Sequence, residues 1–490
     1  MKICDLFKYE KTVYIDPSID TERELEICCD TTFANENTLL FYPRPVGKSA
    51  YKLPKLDKKP YAIVTDWHTL EESEDIPIIK VKNARHALSY AYSNLYGIDY
   101  DKLKVIGVTG TNGKTSTSTM LERILIESGK GVGYIGTGSI RINGEVCTDG
   151  CYSMTTPNPS LLYLALSKMI NEGCEYAIME VSSHALSLCR SAPIKFTLGI
   201  FTNLSSDHMD FHKNKDDYFK AKLSLFDNCK IGVFNIDDEY SNKAYNASEC
   251  QKYSIGVINE ADANITGLIK SDLSGSSFFY KEDGLIFKLE LKLGGVYNVY
   301  NALCAAKSAI ALGIKPRIVK NALNSIEKID GRLEAVSTSP FVIIDYAHTA
   351  NAFENLLKLL KSNKSFGQNL IVVFGCGGDR DKTKRSIMGA VSEKYADKII
   401  ITEDNSRTEK FEAIKDDILS GIKNTEKIHI IEQRQEAIRY AILSCNDNDI
   451  VAIVGKGHER YITDMQGTRA FDERSIIKDA LEERKNESKA

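Results

Sequence analysis

No run of 18 apolar residues occurs in the chain, so a membrane-spanning helix is not expected. The first residues carry Lys2, Asp5, Lys8, Glu10 and Lys11, which breaks up any apolar core of a secretory signal. The 12 cysteines contain no C-x2-C pair; Cys28-Cys29 and Cys147-x3-Cys151 are the only close ones. A zinc ribbon and a dithiol redox motif are therefore unsupported, and reduced, partly buried thiols are expected. Neither sign of charge dominates, with 63 Lys+Arg against 67 Asp+Glu and a net charge of −4. That gives no electrostatic case for nucleic acid or an acidic membrane. Low-complexity segments and internal repeats are absent too, and a cytoplasmic protein is the expectation.

What is present is ordinary globular composition, 43% hydrophobic and 27% charged over 490 residues. That length suits about three domains. The fold class read from the pattern is α/β. Residues 1–98 form a small N-terminal α/β domain with strands at Leu39–Tyr42 and Tyr61–Thr65 and a helix at Ala84–Tyr96. Residues 99–331 form a central P-loop ATPase-like, doubly wound sheet. Residues 332–490 form a Rossmann-like domain with strands at Phe341–Tyr346, Leu370–Phe374, Lys398–Thr402, Lys427–Glu432 and Ile450–Val454. The polar tail Glu482–Ala490 is expected to fray.

The densest chemical signal is Lys104–Thr119, K-V-I-G-V-T-G-T-N-G-K-T-S-T-S-T. A buried-type strand runs into a Gly/Thr/Asn loop and then a helix. Such a loop offers backbone N–H groups and a helix N-terminus to an anion, usually a nucleotide phosphate. Gly110, Thr111, Asn112, Gly113, Lys114, Thr115 and Ser116 would line it. Lys114 would reach the β/γ-phosphates and the Thr115 hydroxyl would face Mg²⁺. Val108 stands at the first glycine of the standard G-x-x-x-x-G-K-[ST] pattern.

Further on, the strand Tyr176–Val181 ends in an acid, Glu180, where a doubly wound sheet presents a metal ligand. The strand Leu198–Leu204 leads to S-S-D-H-M-D-F-H, Ser205–His212. His208 and His212 have the i, i+4 spacing of a zinc pair, but Met209 replaces the glutamate of H-E-x-x-H. One histidine beside Mg²⁺ and the other structural is the reading preferred. On the next helix, Lys220 and Lys222 read from the residues alone as solvated lysines. The helix Asn298–Leu312 opens with Asn298 and Asn301, one expected as its N-cap and the other open to a purine edge. Gly375–Arg380 misses a dinucleotide fingerprint, because Arg380 takes the third glycine position.

Read in order, G-T-N-G-K-T, T-T-P, M-E-V-S-S-H-A-L, F-T-N-L-S-S-D-H-M-D-F-H, Y-N-V-Y-N-A-L, G-R-L-E, D-Y-A-H-T, F-G-C-G-G-D-R-D-K-T-K-R, D-N-S-R and G-K-G-H-E resemble the Mur ligases of peptidoglycan synthesis. The likeness covers roughly residues 100–475. It implies a UDP-binding domain, a central ATPase and a C-terminal domain that brings the amino acid. It also implies a reaction. A carboxylate attacks the γ-phosphate of ATP to give an acyl phosphate and ADP, and an amine then displaces phosphate.

The resemblance assigns roles residue by residue. Lys114, Glu180, His208 and Lys222 become the catalytic set. Thr115 and Glu180 hold one Mg²⁺ and His208 a second. Lys222 is carried as its carbamate, N6-carboxylysine. Asn301 meets adenine, and Arg332 and Asp345 meet phosphates and ribose. Thr155, Thr156, Ser182 and Arg190 hold the UDP-MurNAc-dipeptide. Arg380, Asp404, Asn405, Arg407, Gly455 and Glu459 take the amino acid. Tyr346 and His348 carry no separate role. Members that add meso-diaminopimelate have D-N-P-R, whose Arg grips the distal carboxylate, and lysine-adding relatives lack that Arg. Here Asp404-Asn405-Ser406-Arg407 keeps the Arg and replaces the Pro. The chain departs from the family at Asp30-Thr31-Thr32, in a shortened loop around Tyr42–Tyr51, and at Ala350 and Asn351. A monomer that uses ATP, Mg²⁺, the UDP-MurNAc-dipeptide and meso-diaminopimelate is the expectation. A paralogue acting on a different carboxylate, or adding L-lysine, is the alternative. Asp330–Leu333 is the candidate hinge.

Overall fold

The computed structural model describes residues 2–6, 12–45, 53–67, 75–149 and 154–487. They fall into two compact units. The first comprises Met1–Gly107, Lys130–Thr197 and Ser224–Lys230; the second comprises Val108–Gly129, Leu198–Leu223 and Ile231–Ala490.

In the first unit, a five-stranded sheet runs in the order Thr12–Ile15, Ile78–Val81, Ala62–Thr65, Thr38–Phe41, Glu26–Cys28. Thr38–Phe41 and Ala62–Thr65 are buried throughout. They pair in parallel, so both faces are covered and the runs read apolar rather than alternating. The helix Ala84–Leu95 packs near them, its start capped by Asn83, whose Oδ1 accepts from the N–H groups of Arg85 and His86. The strand Tyr176–Glu180 lies parallel to Val132–Gly136, which continues into an antiparallel pair, Ser139–Ile142 and Glu145–Asp149.

The second unit holds a six-stranded sheet ordered Glu334–Thr338, Phe341–Asp345, Ile450–Val454, Leu370–Phe374, Lys398–Ile401, Ile428–Ile430. Only the first strand is antiparallel to its neighbour. Alternate residues feed opposite cores. Val372, Phe374, Ile399 and Ile401 pack with Phe353, Leu357, Met388 and Ile414. Ile371, Val373, Ile400 and Ile453 pack with Ala437, Ile438, Ile442 and Ile477. Both faces are thus helix-covered, the doubly wound arrangement. The strand of this sheet that comes last in sequence, Ile450–Val454, is inserted between Phe341–Asp345 and Leu370–Phe374. That makes a switch point, where loops diverge beyond the strands' C-terminal ends and leave a crevice for a ligand.

Three expectations are corrected. The helix expected from Asn298 runs from Val296 to Ala311, and Gly295 is its N-cap. Neither Asn298 nor Asn301 caps it, because both lie inside the first turns and are buried. The tail does not fray at Glu482, since the helix Glu473–Glu487 continues to Glu487; residues 488–490 lie outside the described residues. Arg484 holds it by donating to the carbonyls of Ile442 (2.9 Å) and Cys445 (2.6 Å) and to Asp447 (2.7 Å). Lys222 is not a solvated lysine, being 1% exposed, whereas Lys220 is exposed. The cysteines of the described residues are free thiols, and Cys151 lies outside those residues.

Candidate active site

The phosphate loop of the second unit is pinned from behind. Thr202 Oγ1 and Asn203 Nδ2 donate to the Asn112 carbonyl (2.6 and 3.0 Å), and Asn203 Oδ1 accepts from the Asn112 N–H (3.0 Å). Gly110 is at φ 146, and a Cβ there would lie 1.9 Å from Thr202 Oγ1. Gly113, at φ 86, would clash with Asn301 Oδ1 at 2.4 Å. Both positions therefore require glycine. Gly113 is also the N-cap of the helix Lys114–Glu127 and supplies no side chain to cap it. The first N–H groups are left for an anion, so the loop fits a nucleotide phosphate. Lys114 Nζ donates to the carbonyls of Gly110 (3.0 Å) and Thr111 (2.9 Å) at the same loop. Thr111 Oγ1 lies 3.1 Å from the Tyr218 hydroxyl, and Ser116 is buried.

Lys222 lies beside this loop. Its Nζ donates to the Gly110 carbonyl at 2.8 Å and sits 4.6 Å from the Tyr218 ring centroid. Burial, reinforced by Lys114, pushes its pKa well below the lysine value, while Asp207 works the other way. A buried lysine of this kind reaches the neutral amine easily, and the neutral amine is the form that reacts with CO₂.

Asp207 is a buried hub. Its carboxylate is 3.4 Å from His208 Nε2, 3.9 Å from His348 Nε2 and 3.9 Å from Lys384 Nζ. His208 is held at φ 58, a conformation that L residues rarely adopt and that functional sites concentrate. His212 is buried against Phe211 and Tyr218 and faces Asp217 at 3.6 Å. Among the described residues, no group of three or more His, Cys, Asp or Glu forms a metal cluster. Magnesium needs no such cluster, because one or two protein groups together with substrate phosphates hold it. The Thr115 hydroxyl and the His208 side chain are donors of that sparse kind.

Asn301 is buried under the phosphate loop. Its Oδ1 accepts from Thr117 (3.4 Å) and its Nδ2 donates to Asn298 Oδ1 (3.1 Å). Arg332 donates to Thr115 Oγ1 at 3.0 Å. Asp345 accepts from the backbone N–H of Leu333 (2.6 Å) and of Ala347 (2.7 Å), which ties the loop after its strand to the Gly331–Leu333 turn.

The amino-acid residues gather on the loops beyond the sheet. Asn405 Nδ2 donates to Glu459 Oε2 (2.9 Å), and Lys456 Nζ donates to Asn405 Oδ1 (3.1 Å) and Glu459 Oε2 (3.3 Å). Burial works to raise the Asp404 pKa, but Lys456 and Arg434 outweigh it and hold the carboxyl at about 2. Burial pushes the Glu459 carboxyl up. Gly455 must be glycine, since a Cβ would come within 2.8 Å of Asp404 Oδ2. Arg407, at φ 53, donates through Nη1 to the carbonyls of Gly378 (2.8 Å) and Asn405 (3.1 Å). Arg380 donates to the Asp379 carbonyl and is close enough to lower the Arg407 pKa, after burial.

In the first unit, Glu180 is fully buried. Its carboxylate accepts from Tyr134 OH and Thr137 Oγ1. Thr137 Oγ1 also lies 3.2 Å from Thr155 Oγ1, and Thr156 Oγ1 donates to the Glu180 carbonyl at 2.8 Å and lies 3.3 Å from Ser182 Oγ. Arg190 Nη1 donates to the Thr156 carbonyl at 2.7 Å. The residues expected to hold the UDP substrate therefore do come together, around Glu180.

Sequence reasoning passed over Thr137, Asp207, Arg434, Lys456 and the individual parts of Thr202-Asn203. Thr137 had a signal in Gly136-Thr137-Gly138 directly after a strand. Arg434 had none. It is a buried arginine that donates to Glu473 (2.7 Å) and to the Val454 carbonyl (3.0 Å).

A phosphate loop, a buried lysine beside it and an acid-and-arginine cradle beyond a doubly wound sheet define an ATP-dependent ligase. The Mur ligase middle domain family matches residues 108–309, and the Mur ligase, glutamate ligase domain family matches residues 331–457. The chain belongs to the Mur ligase family. It is 40% identical over 411 residues to "UDP-N-acetylmuramoyl-L-alanyl-D-glutamate--2,6-diaminopimelate ligase 1" of Clostridium acetobutylicum, covering 83% of this chain and 84% of that one. It is 38% identical over 490 residues to "UDP-N-acetylmuramoyl-L-alanyl-D-glutamate--2,6-diaminopimelate ligase" of Caldanaerobacter subterraneus, covering 99% of each. A solved structure of a UDP-N-acetylmuramoyl-L-alanyl-D-glutamate--2,6-diaminopimelate ligase superposes with a TM-score of 0.65 at 25% identity, covering 99% of each chain.

Proposed function

We propose that this protein adds meso-diaminopimelate to UDP-MurNAc-L-Ala-D-Glu, with ATP, in peptidoglycan precursor synthesis. The observation that carries the reading is the charge pattern of the Asp404–Arg407 loop. The Arg407 guanidinium stands near the carboxylates of buried Asp404 and half-buried Glu459, and the exposed Arg380 lies next to Arg407. The far end of meso-diaminopimelate bears both a carboxylate and an ammonium. L-Lysine bears only the ammonium and would leave the arginines unmatched. The names of the relatives support the same substrate.

In this reading the dipeptide carboxylate attacks the γ-phosphorus and ADP departs. The diaminopimelate amine then attacks the acyl carbon, phosphate departs and the amine loses a proton. Lys114 and Arg332 neutralise charge as it spreads over the phosphate oxygens. Magnesium, when bound, supplies further positive charge at those oxygens. Thr115 and His208, with Lys222 as its carbamate, are the second unit's groups assigned to it. Carbamate formation joins the Lys222 nitrogen to CO₂ and releases a proton, so the residue becomes an anionic oxygen ligand. Thr155, Thr156, Ser182 and Arg190 are assigned to the UDP substrate. Asn301 is assigned to adenine, for which it would exchange one of its internal hydrogen bonds.

We also assign the domains to residues 1–98, 99–331 and 332–490. The family matches support the later boundary, one ending at 309 and the next beginning at 331. The protein is assigned to the cytoplasm as a monomer; no helix of the described residues is long and apolar enough to cross a membrane. Phosphate release by the purified protein tests the reading. Release should require ATP, UDP-MurNAc-L-Ala-D-Glu and an amino acid together. Release without the nucleotide-sugar would reject it.

A further inference from the structure

Tyr346 stands where three loops of the second unit meet. Its backbone N–H donates to the Gly331 carbonyl at 2.9 Å, which binds it to the turn that carries Arg332. Its ring lies 4.4 Å beneath the Arg332 guanidinium, and Arg332 in turn donates to Thr115 of the phosphate loop. Its hydroxyl donates to Glu459 Oε1 at 3.3 Å. His348 and His458 pack against the same ring at centroid distances of 4.6 and 5.0 Å. The fit is tight. A Cβ on Gly457 would approach the Tyr346 Cβ to 2.6 Å, and one on Gly331 would meet the His458 N–H nitrogen at 2.3 Å. Gly331 and Gly457 adopt φ 64 and 56, so neither position tolerates a side chain.

These contacts form a continuous chain, Thr115–Arg332–Tyr346–Glu459–Asn405, from the phosphate loop to the amine cradle. We infer that Tyr346 is a positioning residue that couples the nucleotide-side arginine to the amine-gripping glutamate, so that the amine is held best when Arg332 is seated. The ring serves Arg332 through a cation–π contact, and the hydroxyl orients the Glu459 carboxylate. The two jobs sit on different atoms and can be separated. The 3.3 Å hydrogen bond is long, as such bonds are before substrates tighten a site. The inference rests on the ligase reading above.

The test uses steady-state kinetics of the full-length enzyme with ATP, UDP-MurNAc-L-Ala-D-Glu and meso-diaminopimelate. Tyr346→Phe keeps the ring and removes the hydroxyl. It should raise the KM for diaminopimelate about five- to tenfold, the scale of one net protein hydrogen bond, and leave the KM for ATP within about twofold. Tyr346→Leu removes both contacts and should raise both KM values. In a Glu459→Gln background, Tyr346→Phe should add little, because its effect runs through Glu459. An unchanged diaminopimelate KM in Tyr346→Phe, equal rises in both KM values, or full additivity with Glu459→Gln would overturn the inference while the ligase reading stands. A wild-type enzyme that makes no ADP with diaminopimelate would overturn both.

Discussion

Lys222 shows how far a residue can depart from its sequence expectation. On a helix of mixed charge it reads as a solvated lysine, yet it is buried and donates to the phosphate loop. The helix face holds the explanation. Tyr218 and Lys222 are four residues apart on the helix Lys215–Leu223 and both are buried. A lysine in register with Tyr218 is the available clue, but periodicity cannot say why a charge would be placed inward. The resemblance could, by giving it a carbamate. We predict that Lys222→Ala loses most ligase activity, at least about a hundredfold, and that added short-chain carboxylates restore part of it. Full activity in the unsupplemented variant would refute the role.

At the scale of elements, strong local signals were read well and weak ones were not. The buried parallel strands of the second unit were placed to within a residue or two, because apolar runs bounded by Gly and Asp loops leave little choice. The antiparallel pairs were missed, although two tight turns announce them. Asn143-Gly144 and Asp283-Gly284 both have positive φ and link adjacent strands, the mirror-image turn those dipeptides favour. The N-cap expectation for Asn298 failed for a physical reason. Gly295 takes the cap, and the Asn298 carboxamide donates instead to the Gly294 carbonyl at 2.8 Å. The end of the C-terminal helix, from Glu482, reads as a frayed tail because its residues are polar. Arg484 anchors it to backbone carbonyls that sequence does not reveal. Arg484→Ala should lower stability by about 1–3 kcal/mol, since charge-assisted bonds to carbonyls are lost. Urea unfolding measures this, and the KM values should not move. Unchanged stability would show that the anchor is unimportant.

At the scale of the whole molecule, the sequence made the order of chemical parts legible but not their spatial grouping. Its motifs predict a phosphate loop, a metal side and an amine cradle. The structure gathers the loop, Lys222, His208, Arg332 and the amine residues into one compact unit, and gathers Glu180 with Thr155, Thr156, Ser182 and Arg190 in the other. Long-range order of this kind depends on strand insertion. The strand Ile450–Val454 enters the middle of its sheet and thereby brings Gly455–Glu459 beside loops encoded some 50 to 110 residues earlier. Composition and local pattern contain no trace of that crossover.

In the proposed function, the cradle of Arg407 and Glu459 selects an amine with a charged carboxylate at its far end. The most direct measurement is kcat/KM for meso-diaminopimelate and for L-lysine, with saturating ATP and UDP-MurNAc-L-Ala-D-Glu, in wild type and in Arg407→Ala. Wild type should favour diaminopimelate by at least about a hundredfold, because the competitor leaves the half-buried Arg407 guanidinium unmatched. Arg407→Ala should lose diaminopimelate use. Preference of the wild-type enzyme for lysine, or an Arg407→Ala variant that still uses diaminopimelate normally, would contradict the account.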